Sequence, residues 1–236
     1  MQIRYKIQSI LISFLCLLFI LPVVFAQNND ALKSEVYSKL KCCACQVSFD
    51  KCTCLEAKEM KAYIDALLES STSKEEIFYK VAKKFSLNTI LDEQIKQDIE
   101  KKLIREAGQS RPQALIDSSS YNFGRVSKKQ GKVSKSFNLS NQGNSPLIIK
   151  NLKTSCPCAT VSLKVNKKKT PYFGTEGAPK DWQIEIKPGE YGELELRIDL
   201  ASSHVKPGKL IRESSIFSND PVYPELKIMV EAEVTD

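Results

Sequence analysis

The residues of this chain with the greatest capacity for chemistry are its cysteines. There are eight, and all but Cys16 fall in two short groups: Cys42-Cys43-Ala44-Cys45 with Cys52-Thr53-Cys54, and Cys156-Pro157-Cys158. Outside a reducing compartment, thiols this dense pair as disulfides, ligate a metal, or exchange with the disulfides of other proteins. In the first group, Cys43, Cys45, Cys52 and Cys54 offer thiolates from two short arms. Such a set can surround Zn²⁺ or Cu⁺ tetrahedrally, although one residue between paired cysteines is tighter than the usual zinc spacing. Cys156 and Cys158, two apart in extended chain, would point to the same side, near the upper limit of disulfide geometry. A bond between them would be strained and easily reduced, and two same-facing thiolates also suit a soft metal such as Cu⁺. With Cys16 set aside the cysteine count is odd, so at least one thiol stays unpaired unless it holds metal or bridges to another chain. The single histidine, His204, lies in a Ser-rich loop and is assigned no role. One histidine excludes a multi-His metal site and a His-dependent triad, which removes most support from a hydrolase reading.

The compartment is read from the start of the chain. Arg4 and Lys6 precede an apolar run from about Ile7 to Phe25 that ends in Val24-Phe25-Ala26, so residues 1–26 are expected to be a secretory signal. The run approaches the roughly 20 residues that cross a bilayer, which makes an uncleaved N-terminal anchor the alternative and membrane contact an expectation only in that case. On either reading the rest of the chain lies outside the cytosol, in the periplasm or elsewhere in a bacterial envelope. The formal net charge is +7, and the Lys167-Lys168-Lys169 run carries no interleaved aromatics or arginines. That run reads as a solvated loop, and nucleic acid is not an expected partner.

Elements that must position these thiols follow from composition. Residues 28–107 contain no proline and are rich in Lys, Glu, Leu, Ile and Ala, whereas nine of the ten prolines lie from Pro112 onward. The fold class expected is a small helical bundle (28–107), a linker (108–116) and an Ig-like antiparallel β-sandwich (117–236). A first helix over about 30–41 carries Leu32, Val36 and Leu40 on one face and delivers Cys42 at its end. Thr53 and Glu56 form a capping box that would put Cys54 at the first helical position, where the helix dipole and free N–H groups favour a thiolate there and more weakly at Cys52. Leu55, Met60, Ile64, Leu67 and Leu68 form the apolar stripe of that helix. Ser73 and Glu76 repeat the box for a helix with Ile77, Val81 and Phe85, and a last helix begins near Thr89 and carries Ile95, Ile99 and Leu103. Beyond Tyr121 the period changes to two, as in Leu194-Leu196-Ile198-Leu200, Trp182-Ile184-Ile186 and Leu226-Ile228-Val230-Ala232-Val234. Turn signals fall at Asn141 to Asn144, Pro188-Gly189, Pro207-Gly208 and Asn219-Asp220-Pro221, giving about seven short strands.

The segment Leu40-Lys41-Cys42-Cys43-Ala44-Cys45-Gln46, with the two helices after it, resembles the thiol-oxidoreductase domain of the cytochrome c-type biogenesis protein CcmH family, whose motif is Leu-Arg-Cys-x-x-Cys-Gln. The resemblance covers roughly Leu32 to Leu91. It implies a redox pair, Cys42 and Cys45, with Cys42 as the more accessible nucleophile, acting on the haem-attachment disulfide of apocytochrome c or on another periplasmic thiol protein. Cys43, Cys52 and Cys54 are additions to that motif, and they are what opens the metal reading.

Phe123-Gly124-Arg125-Val126, Phe137 through Leu147, Thr154-Ser155-Cys156-Pro157-Cys158, Pro188-Gly189-Glu190 and Ser218-Asn219-Asp220 closely resemble a bacterial Ig-like family of unknown function, related to Hydin-type and chaperone-type sandwiches. That family typically has Ser-Cys-Gly-Cys where Pro157 stands here. The resemblance implies a fold and leaves function to the sites. Two functions from different classes follow. One is an exported protein assisting thiol–disulfide chemistry or cytochrome c maturation, with the sandwich docking a partner. The other is a non-enzymatic envelope binding or assembly protein whose cysteines hold Zn²⁺ or Cu⁺ or staple the fold; no cofactor other than these ions is expected.

Overall fold

The computed structural model describes residues 30–42 and 48–236. The expected signal and the candidate residues Cys43 and Cys45 lie outside them. The chain divides into two compact units, one ending at Ile99 and the other starting at Glu100.

The first unit is helical. Helix α1 covers residues 30–38, three residues short of the expected end. The chain leaves it because Leu40 enters an antiparallel bridge with Ile90, and Lys41 another with Ser48. Lys39 is also bound to Asp92 at 2.9 Å. Cys42 therefore leaves a short extended segment, not a helix end. Helix α2 (Leu55–Glu69) buries Ala57, Met60, Ile64, Leu67 and Leu68, as the stripe predicts, but Leu55 is 78% exposed. Helix α3 (Lys74–Phe85) is capped by the Ser73 hydroxyl, which accepts the Glu76 N–H. After a short 3-10 turn at Leu87–Thr89 comes α4 (Glu93–Ala107), whose residues up to Ile99 belong to this unit. Its first free N–H groups, on Gln94 and Ile95, bond to the Asp92 carboxylate at 3.1 Å. The helix thus starts four residues after the Thr89 expected from sequence, which lies in the 3-10 turn with its hydroxyl donating to the Ser86 carbonyl. Val36, Leu40, Phe49, Met60, Ile64, Ile77, Phe78, Val81 and Leu87 are among the fully buried residues of the unit.

The second unit is a sandwich of two five-stranded sheets. Ten strands form it in chain order: β1 (Ala114–Ile116), β2 (Ser120–Ser127), β3 (Lys132–Asn141), β4 (Leu147–Thr154), β5 (Ala159–Val165), β6 (Lys168–Lys169), β7 (Ile184–Ile186), β8 (Tyr191–Asp199), β9 (Gly208–Ser218) and β10 (Glu225–Thr235). The sheets run β1-β3-β8-β5-β6 and β2-β10-β9-β4-β7. β1, β6 and β7 are only two or three residues long, and the other strands match the number read from the turns. The period-two runs bury as predicted: Leu194, Leu196, Ile198 and Leu200 are all sealed from solvent.

Three details depart from the expectation. β1 falls inside the stretch read as linker, because Ala114, Leu115 and Ile116 pair with Asn141, Ser140 and Leu139. The sheets are not wholly antiparallel, since β2 pairs parallel to β10; the chain changes sheets between β1 and β2 and so runs alongside the last strand. The lysine run is not all loop, because Lys168 and Lys169 pair with Val165 and Lys164.

The landmark residues turn out to be structural hubs. Asn141 is fully buried. Its amide nitrogen donates to the carbonyls of Ser145 (2.8 Å) and Ile186 (3.0 Å), and its oxygen accepts from Gly143 (3.0 Å) and Gln113 (3.3 Å). Gly143 is required by close approach: a Cβ there would sit 2.3 Å from the Arg111 carbonyl oxygen. Asp220, 1% exposed, accepts backbone N–H groups from Ala114 and Val222 at 2.8 Å and Tyr223 at 3.2 Å. These side chains satisfy backbone donors where strands β1 and β4 begin and β9 ends, which buried loops must do.

Candidate functional site

The helical cysteine site is assembled by three backbone anchors. Lys41 N–H donates to Thr89 O (2.9 Å), Phe49 N–H to Leu40 O (3.4 Å) and Cys52 N–H to Phe49 O (3.3 Å). Phe49 is completely buried beneath this turn, and Lys61 Nζ closes it by donating to Cys52 O at 2.9 Å. The result brings Cys42, Cys52 and Cys54 together, their sulfurs all within 4.8 Å of one another. Cys54 Sγ lies 3.4 Å from Cys42 Sγ and 3.4 Å from Cys52 Sγ.

Helix α2 contributes directly. Its N-cap is Cys54, whose sulfur accepts the Ala57 N–H at 3.4 Å. Thr53 and Glu56 thus do not form the expected capping box. The frame moves by one residue because the Cys54 sulfur is drawn in beside the other two thiols. Cys42 and Cys52 are 0% and 5% exposed, whereas Cys54 is half-buried. The expected comparison was between Cys42 and Cys45, and Cys45 lies outside the described residues; within them Cys42 is buried and Cys54 is the most exposed of the three thiols. Of the four residues proposed as metal ligands, Cys52 and Cys54 are in the cluster, Cys43 and Cys45 fall outside the described residues, and Cys42 is an addition. Among the described residues this is the site with the donor set for a soft cation. Tetrahedral zinc with Zn–S of about 2.3 Å sets sulfur–sulfur edges of about 3.8 Å, and the cluster is close to that spacing.

The second pair sits at the crossing from β4 to β5. Cys156 and Cys158 form a disulfide with Cα atoms 5.3 Å apart. The chain is not extended there but turns at Pro157. The separation consequently falls mid-range for a disulfide instead of near its upper limit. The turn is tied on both sides: Ser155 N–H donates to Glu213 O (3.0 Å), Ala159 N–H to Cys156 O (2.9 Å) and Asp199 N–H to Cys158 O (2.8 Å). Thr154 Oγ1 donates to Ala159 O at 3.0 Å. Cys156 is half-buried and Cys158 is 2% exposed.

Arg212, on β9, was not legible in the sequence as part of this site. It lies 54 residues from Cys158, yet its Nε donates to Cys158 Sγ at 2.9 Å. The other guanidinium nitrogens donate to Ile211 O (2.7 Å) and His204 O (3.0 Å). Partial burial pulls its pKa below the ordinary value, and it remains cationic. Within its strand it shares the inward phase of the buried Leu210, Ser214 and Ile216, so a charged residue at a core-side position was the local signal that could have marked it. His204 itself is exposed and offers Arg212 only its carbonyl.

A third cluster on the sandwich joins Glu195, Lys169, Tyr172 and Arg197. Lys169 Nζ donates to Glu195 Oε2 at 2.7 Å and Tyr172 OH to the same oxygen at 2.6 Å, while Arg197 reaches Glu195 Oε1 at 3.1 Å. Burial raises the Glu195 carboxyl, but the bonds from Lys169, Tyr172 and Arg197 outweigh it and hold the pKa at about 2.

The sheet order and these hubs define a two-sheet β-sandwich that carries the Cys156–Cys158 pair at its β4–β5 turn. The chain belongs to the family described as protein of unknown function DUF1573, whose model matches residues 115–234. No curated protein matches it. Among solved structures, it is similar to a crystal structure of a protein of unknown function from Porphyromonas gingivalis, with 21% identity over 53% of this chain and 48% of that one and a TM-score of 0.39. The chain thus spans about half the length of that structure. It is also similar to a PapD-like domain of human CEP192 (10% identity, 54% and 88% of the two chains, TM-score 0.36) and to the periplasmic chaperone SfaE (8% identity, 52% and 58%, TM-score 0.33).

Proposed function

We propose that the chain is an exported envelope binding protein: its sandwich docks a partner, and its helical unit holds one soft metal ion in a thiolate cluster. The observation that carries the metal reading is the convergence of Cys42, Cys52 and Cys54 within 4.8 Å. Two of these come from the turn and cap that begin α2 and one from the segment after α1, so the ion would tie the two arms together. A fourth thiolate is available in sequence from Cys43 or Cys45. Zn²⁺ and Cu⁺ are the ions that this donor set selects. The charged start and apolar run at residues 7–25 support export, with a mature chain beginning at Gln27.

A second reading is thiol–disulfide exchange of the kind the CcmH-like motif implies, with Cys42 and Cys45 as the pair and apocytochrome c as partner. It is favoured by one contact, the half-exposed Cys54 sulfur 3.4 Å from buried Cys42, which gives an incoming disulfide a route to the pair. Metal analysis with thiol counting on anaerobically purified mature protein separates the two. The metal reading expects about one equivalent of zinc or copper per chain and cluster thiols that resist alkylation until a chelator is added. Metal-free protein whose thiols alkylate at once, and which forms a mixed disulfide with a Cys-x-x-Cys-His peptide, would overturn it in favour of exchange. N-terminal sequencing of the exported protein tests the start at Gln27.

A further inference from the structure

We propose that Cys156–Cys158 is a directional thiol-exchange site on the sandwich, attacked at Cys156, with Arg212 positioned to receive the charge that develops on Cys158. The site is independent of the helical cluster.

Direction follows from exposure. An incoming thiolate must approach one sulfur along the S–S axis, opposite the sulfur that leaves. Cys156 is the half-exposed member and Cys158 is 2% exposed, so attack falls on Cys156. The leaving group is then Cys158, and the Arg212 Nε–H already points at its sulfur from 2.9 Å. The guanidinium cannot turn aside easily, because its remaining nitrogens are held by the carbonyls of Ile211 and His204. A preorganised cation aimed at an atom that becomes negative lowers the barrier without reorganising. The turn itself is braced to β8 and β9 by the Asp199-to-Cys158 and Ser155-to-Glu213 backbone bonds, so the two sulfurs and the guanidinium keep their places. Cys156 Sγ accepts the Cys158 N–H at 3.3 Å, a weaker, neutral partner than the guanidinium, which reinforces the asymmetry.

The reductant is a protein dithiol. Its first thiolate forms a bond to Cys156 Sγ, the Cys156–Cys158 bond breaks, and the electron pair passes to Cys158 as thiolate beside Arg212. Its second thiolate then attacks the mixed disulfide at the partner's own sulfur, releasing Cys156 as thiolate. The dithiol is oxidised to a disulfide and the pair is reduced by the same two electrons. Arg212 touches the leaving sulfur, one of the reacting atoms, and so acts as a catalytic residue that stabilises the charge developing there.

The test uses the full mature chain and glutathione as the monothiol probe, with the adduct located by peptide mass spectrometry after acid quench. Glutathione is expected on Cys156, and Arg212→Ala is expected to slow adduct formation about tenfold, the factor for losing one charge-assisted hydrogen bond to the leaving group. A readout that loop loosening would not reproduce is the re-closure step, in which Cys158 thiolate expels glutathione from the isolated adduct. The pH midpoint of that step should rise in Arg212→Ala and return towards wild type in Arg212→Lys. Adducts mainly on Cys158, equal adducts on both sulfurs, or a re-closure profile unchanged in Arg212→Ala would each overturn the proposal. The result does not depend on the metal content of the helical unit, so it succeeds or fails separately from the proposed function.

Discussion

Cys54 has two jobs that different substitutions separate. As the N-cap of α2 its sulfur accepts the Ala57 N–H at 3.4 Å, and as a cluster member it lies 3.4 Å from Cys42 and from Cys52. Cys54→Ser keeps an oxygen cap and removes the soft ligand; Cys54→Ala removes both. In chelator-stripped protein, the serine variant should therefore match the wild type, while the alanine variant loses about 1 kcal/mol, the worth of a cap. In metal-loaded protein the difference comes from the ion. Structural zinc contributes roughly 10–16 kcal/mol spread over four ligands, so removing one should cost about 3 kcal/mol, or more than a hundredfold in metal affinity, in both variants. Competition against a chromophoric chelator measures the affinity, and helix melting with and without zinc measures the stability. Equal losses of metal affinity for serine and alanine, with little loss of stability for serine in stripped protein, are the signature of ligation. If the serine variant binds zinc as tightly as wild type, the cluster is not a metal site.

Other outcomes follow from the sandwich. Glu195, held at about 2 against an ordinary 4.5, stabilises the fold fully above about pH 4.5 and loses that contribution as pH falls towards 2; the interval corresponds to about 3 kcal/mol, which solvent screening at the 45%-exposed Lys169 reduces to about 1–2. Glu195→Gln should flatten the acid limb of urea stability between those pH values, and an unaltered limb would mean the cluster is idle. Asn141→Ala leaves the buried Ile186 carbonyl and three part-buried groups, the Ser145 carbonyl and the Gly143 and Gln113 N–H, without this partner, and a drop of about 2 kcal/mol is expected in denaturant titration; a loss under 1 would show that water replaces the side chain. Gly143→Ala drives a methyl against the Arg111 carbonyl and should cost about 2 kcal/mol and loosen β1, read as faster amide exchange at Ala114 to Ile116. Unchanged exchange there would refute the close approach.

The alternating runs at residues 194–200 and 226–234 stated their strands and their buried face in advance, because period two has only one way to put apolar side chains on a core. Ser73 likewise announced α3, since an N-cap is a bond within three residues of itself. Composition separated helical from strand-forming sequence for the same local reason. The sites were legible only as residue types. That Cys42, Cys52 and Cys54 meet depends on Lys39 and Lys41 bonding to residues 89–91 and 92, some fifty positions on, and that meeting moved the cap from Thr53 to Cys54. The parallel β2–β10 pair joins the two ends of the unit and is invisible to any local pattern. Arg212 reaches Cys158 only because β9 lies beside the β4–β5 turn. Local periodicity decides what a segment becomes, whereas a site is made by which segments the closed sheets and buried turns bring within bonding distance, and only tertiary packing sets that.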